Sequence, residues 1–125
     1  MVSTGLLKAG GIFHILFAVF HLFWPKLFNW KDNLKSLDVI NKALLPIMSG
    51  LFIYIYAAVG LVSFFYSDVL LESKIGGIFL LSVAGFWLVR AIMQFKYFNI
   101  KEKEAFIFLG FFITGIALYA IPVII

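Results

Sequence analysis

Four polar side chains sit inside apolar runs long enough to cross a bilayer: His14, His21, Arg90 and Gln94. An ionisable or amide group in hydrocarbon is costly, and it faces a bundle interior or a water-filled cavity more readily than lipid. Histidine brings a charge change near neutrality and a nitrogen pair that donates or accepts. Arginine brings a permanently charged planar fork matched to a carboxylate or phosphate. The chemistry in reach is therefore recognition of a polar or anionic group, or proton movement.

The spacing groups these residues. His14 and His21 are seven apart, two turns, so they point the same way about 10 Å apart along a helix axis. Trp87, Arg90 and Gln94 follow at three and four and share a face. Ser49, Tyr56 and Ser63 repeat every seven along another run. Gly110, Thr114 and Gly115 form a small surface on which helices can approach closely, and the last run contributes little polarity beyond Thr114.

Several chemistries are excluded by what is missing. With no cysteine, the chain has no disulfide, thiolate metal site, iron–sulfur cluster or thiol redox relay. Two histidines on one helix cannot take opposite faces of one iron, so bis-histidine haem within one protomer is out. A single axial histidine, or ligands shared across a homodimer, is the remaining haem arrangement. A zinc hydrolase would need three converging ligands, and the apolar runs offer no Asp or Glu to join the histidines. Serine–histidine nucleophilic catalysis lacks an orienting carboxylate and a nucleophile turn. No catalytic motif is present and the cofactor, if any, is unknown from the sequence.

The elements that must position these residues are membrane spans. Of the 125 residues 64% are hydrophobic and 13% charged, against about 25% charged in soluble domains. The length fits one domain, 1–125, of four spans at about 5–24, 45–66, 75–95 and 105–124. Lys26 and Leu27 follow Pro25 without a cleavage signature, so the first run reads as a retained helix rather than a signal peptide. Short connections favour an antiparallel four-helix bundle. Between the first two spans, Trp30, Leu34, Leu37, Asn41 and Leu45 recur at threes and fours, opposite Lys31, Lys35, Asp38 and Lys42. This predicts an amphipathic interfacial helix over about 32–45, capped by Asp32 or Asn33, with Pro46 at the turn into the second span and Asn41 as the one amide on its apolar face. The fold class expected is thus all-α integral membrane: four transmembrane helices plus one interfacial helix.

Lysine placement gives orientation. Lys26, Lys31, Lys35 and Lys42 follow the first span, and Lys96, Lys101 and Lys103 follow the third, whereas the other side has only Lys8 and Lys74. The positive-inside rule then puts both basic loops in the cytoplasm and both termini outside, in a cytoplasmic (plasma) membrane. Trp24, Trp30 and Tyr97 stand where interfacial anchors would. The net charge of +4 points to the bilayer and its anionic headgroups rather than to nucleic acid.

In that orientation His21, Arg90 and Gln94 fall near the cytoplasmic ends of their helices, at the depth of Asn41. Two functions follow. In one, His14, His21, Asn41, Trp87, Arg90 and Gln94 line a polar intramembrane pocket that binds or transports a small anionic or amphiphilic ligand. In the other, the protein is an accessory or assembly subunit whose polar stripes bind other chains, in a homo-oligomer or a larger membrane complex. Each residue also has a plainer role: Arg90 and Gln94 can reach headgroups or solvent, His21 can be interfacial beside Trp24, and His14 can be glue to Tyr56 or a serine.

Overall fold

The computed structural model describes residues 2–98 and 102–125, and every regular element in it is helical; there is no strand among the described residues. In chain order these are α1 (Val2–Leu22), α2 (Trp24–Leu27), α3 (Trp30–Asn33), a 3-10 turn (Leu34–Ser36), α4 (Val39–Phe65), α5 (Ser67–Glu72), α6 (Lys74–Tyr97) and α7 (Lys103–Ile124). Four of them, α1, α4, α6 and α7, have 21, 27, 24 and 22 residues and are long and apolar enough to cross a membrane. At 1.5 Å per residue each exceeds the roughly 30 Å of bilayer hydrocarbon. Lys101 of the second basic loop lies outside the described residues.

Polarity is distributed as lipid requires. Ile12, Leu16 and Val19 are exposed on α1, while His14 and His21 on the same helix are buried. The other buried polar side chains are serines and Gln94. In water this would be inverted; in hydrocarbon, exposed aliphatic surface carries no penalty and polar groups gain by meeting one another.

The chain divides into two compact units, Gly11–Val62 and a second made of Met1–Gly10 with Ser63–Ile125. Within Gly11–Val62, α1 and α4 run antiparallel. A Cβ on Gly60 would lie 2.8 Å from the Gly11 carbonyl oxygen, and further along the pair Tyr56 meets His14 and Phe52 meets His21. Within the second unit, α6 and α7 are likewise antiparallel. Trp87 stacks on Phe112, with centroids 5.7 Å apart, and one end of the pair is tied by Gln94 Nε2 donating to the Ala105 carbonyl at 3.0 Å. Lys8 Nζ donates to the Phe64 carbonyl at 2.8 Å, filling an acceptor in the last turn of α4.

The segment expected to be one helix over 32–45 is two structures. Helix geometry ends with the 3-10 turn, Leu37 is extended (ψ 153°), and a new helix begins at Val39. The break is made by Asp38, whose Oδ1 accepts from the Asn41 backbone N–H at 2.9 Å. This is the N-cap bond that starts α4. Residues 39–45 therefore belong to the second long helix, and Pro46 lies inside it rather than at a turn. Of the two expected caps, Asp32 lies inside α3, and Asn33 donates its side-chain amide to the Phe28 carbonyl at 2.8 Å. Heptad-like spacing alone could not reveal the break, because an aspartate on the polar face and an aspartate that caps look identical in a pattern. Replacing Asp38 with alanine is expected to cost about 0.5–2 kcal/mol and to fray the first turn of α4, read as lower thermal stability in detergent together with faster amide exchange at Asn41. An unchanged exchange rate would remove the cap role.

Candidate functional site

The two histidines of α1 converge on one phenol. His14 and His21 are both almost fully buried, and Tyr56 of α4 lies against both, at ring-centroid distances of 6.0 and 5.1 Å. The seven-residue spacing places the rings on one side of α1, and the antiparallel α4 brings a single large side chain between them. Phe17 and Phe52 complete an aromatic surround, 5.9 Å from Tyr56 in each case.

His21 has a defined orientation. Its Nδ1 is 2.9 Å from the Phe17 carbonyl oxygen. A carbonyl only accepts, so Nδ1 carries the proton, and Nε2 accepts in the neutral ring and donates in the protonated one. Trp24 stacks on the ring, with centroids 3.9 Å apart and planes at 22°. The Trp24 indole N–H is itself buried without a hydrogen-bond acceptor. Trp24 is thus a wall of the His21 environment.

Beside His21 the unit opens into a groove of about 500 Å³, bordered by His21, Trp30, Lys31, Pro46 and Ser49, with Leu22, Leu34 and Ile53 as apolar lining. Residues on both sides of the break at Leu37 line it, Trp30, Lys31 and Leu34 before the break and Pro46, Ser49 and Ile53 after it. Chemically, the groove offers an imidazole, a hydroxyl, an ammonium and an apolar body.

Asn41 does not join this site. Its side chain is exposed in the first turn of α4 and lies outside the groove lining, contrary to its expected place on a buried apolar face. The reason is the restart of the helix at Val39, which rotates Asn41 away from the face it would share with Trp30 and Leu34 in one continuous helix.

Trp87, Arg90 and Gln94 belong to the other unit and do share a face of α6. Arg90 Nη1 donates to Gln94 Oε1 at 3.0 Å, and its guanidinium carbon stands 4.4 Å from the Phe112 ring centroid and 5.9 Å from that of Phe98. Gln94 is 1% exposed and uses both ends of its amide, one for Arg90 and one for Ala105. A solvated or lipid-facing Gln94 is therefore not observed. Arg90 is half-buried and packed against aromatic faces, a cation–π arrangement that steadies the guanidinium. Trp87 is fully buried. Its indole occupies the space beside Gly115, where a Cβ would come within 2.8 Å of the ring.

The fourth span carries more than its composition implied. Tyr119 is fully buried, shares a 2.7 Å hydrogen bond with Ser63, and lies against Gly10, whose Cβ would be 2.7 Å from its ring. The signal was available, since a phenol in an apolar helix needs a polar partner. Thr114 and Gly110 are instead exposed, the threonine hydroxyl bonding back to the Gly110 carbonyl at 2.9 Å, so of the small surface only Gly115 receives a neighbour.

Among the described residues no group of three or more His, Asp or Glu is placed to hold a metal ion. No protein-family model, no curated protein and no solved structure matches this chain.

Proposed function

We propose that this membrane protein holds a small amphiphile with an anionic head in the groove beside His21. The observation that carries the reading is the groove itself, whose volume of about 500 Å³ suits a small ligand. His21 Nε2 and the Ser49 hydroxyl would meet the head, and the Lys31 ammonium would supply charge. Leu22, Leu34 and Ile53 would cover the tail. The segment 26–42 favours an anion further, with four lysines against two aspartates. Its Lys35–Asp32 pair at 3.4 Å is exposed and contributes little. By the positive-inside rule this groove opens to the cytoplasmic leaflet, with both termini on the far side. Tyr56, against both rings, would keep the His21 imidazole in place.

In this reading Trp87, Arg90 and Gln94 have a different task. Gln94 spends both ends of its amide within the protein, which suits a tie between α6 and α7 held taut by Arg90.

Native mass spectrometry from mild detergent, after reconstitution in vesicles containing an anionic lipid and a fatty acid, tests the proposal. A stoichiometric bound amphiphile is expected. Changing His21 to alanine should lower its retention about 10- to 100-fold, the value of a hydrogen bond to a charged group. Lys31→Ala should cost less and lose its effect at high salt. Asn41→Ala should leave retention unchanged. Other polypeptides at fixed ratio with no amphiphile would replace the proposal with the accessory-subunit reading.

A further inference from the structure

The outer face of α4 carries one polar group that lipid cannot serve. Tyr54 is 74% exposed, and no described residue bonds to its hydroxyl. Lys42 and Tyr66, at the two ends of the apolar stretch, are each twelve residues away, about 18 Å along the axis. A phenol side chain cannot span that distance, so the hydroxyl sits near mid-bilayer, where no water reaches it and an unmet hydroxyl is costly. The residues around it are spaced three and four apart. Ile40, Leu44, Ile47, Leu51, Tyr54, Ala58 and Leu61 form an unbroken seam with the repeat of a two-stranded coiled coil, and all are exposed. Ala58, one turn from Tyr54, leaves room for a second backbone to approach.

We propose that a second copy of this chain covers this face, α4 against α4 in parallel, with the two Tyr54 hydroxyls bonded to each other. The occupant follows from chemistry and depth. Two copies inserted with the same orientation and related by a two-fold axis along the membrane normal bring equal depths together, so Tyr54 meets its own equivalent. A phenol both donates and accepts, which makes the pair self-sufficient. A single polar position in an apolar seam also sets the register, since any axial slip leaves both hydroxyls in hydrocarbon. The dimer does not depend on a ligand in the groove, whose residues occupy another side of α4.

The natural absence of cysteine makes the test direct. Full-length single-cysteine variants at Leu51, Ala58 and Ile55 are reconstituted in vesicles and oxidised. Leu51→Cys and Ala58→Cys should give disulfide-linked dimers. Ile55→Cys, exposed but off the seam, should give little. Energy transfer between labelled copies in the same vesicles should show that Tyr54→Phe raises the dissociation constant about three- to fifteenfold, the range of interhelical hydrogen bonds in bilayers. Equal cross-linking at Ile55, a monomer at all protein-to-lipid ratios, another polypeptide bound at this seam, or a Tyr54→Phe variant that dimerises as well as the parent would each overturn the proposal.

Discussion

Gly76→Ala is expected to lower stability by about 3 kcal/mol or more, beyond the usual 1–3 for an overpacked site. Gly76 is buried in the first turn of α6, where its N–H donates to the Ser73 hydroxyl at 2.9 Å and completes the helix cap. The Cβ of an alanine there would collide with the Leu70 carbonyl oxygen and the Leu70 Cα. Those are backbone atoms of α5, and no rotamer change relieves them. Alanine's better helix propensity returns about 1 kcal/mol, which does not offset the collision. The corner between α5 and α6 must open, and with it the cap. Gly77, the next residue, has nothing within 4 Å of its would-be Cβ. Gly77→Ala is the matched control, expected to be neutral or slightly stabilising. Denaturation of both variants in mixed micelles decides the matter: equal stabilities would mean that the α5–α6 corner yields freely.

A valine at Gly115 should cost about 3 kcal/mol, and the loss should be coupled to Trp87. Here the obstacle is a side chain: Cγ and Cδ1 of the indole would lie 2.8 Å from the new Cβ. These are the proximal atoms of a fully buried ring that also stacks on Phe112, so the indole cannot swing aside without leaving its layer. Shrinking the ring should relieve the clash. The double variant Gly115→Val with Trp87→Phe is expected to be more stable than the sum of the two single losses predicts, by about 0.5–3 kcal/mol. Additive losses would show that Trp87 and Gly115 do not oppose one another. The result also bears on function, because a strong coupling makes Trp87 a packing residue between α6 and α7 and leaves no space there for a ligand.

Much of the architecture was legible in composition and periodicity, for reasons visible in individual residues. Charge-free runs around Tyr56 and Phe112 could only be long helices, because a spanning backbone must satisfy itself. The seven-residue spacing of His14 and His21, and the three-and-four spacing of Trp87, Arg90 and Gln94, put each set on one face, which helical geometry alone guarantees. Which way each set turns was not legible: Gln94 and His21 suited the membrane interface as well as the interior, and only their burial separates the two. Less could be read of the loop between the first two spans. Asp38 could sit on a polar face or cap a helix, and one backbone hydrogen bond separated the two.

Composition and periodicity therefore specify four long apolar helices with their polar residues gathered on faces, since hydrocarbon leaves few alternatives. Which partner each polar group meets is settled by packing between helices. Tyr56 reaches both histidines because α4 runs antiparallel to α1 at the register where Gly60 passes the Gly11 carbonyl. Gln94 closes on Ala105, and Tyr119 on Ser63, through contacts 11 and 56 residues apart along the chain. Pairings of that kind depend on helix rotation and axial offset, quantities set by how glycines and indoles interlock, and no local pattern encodes them.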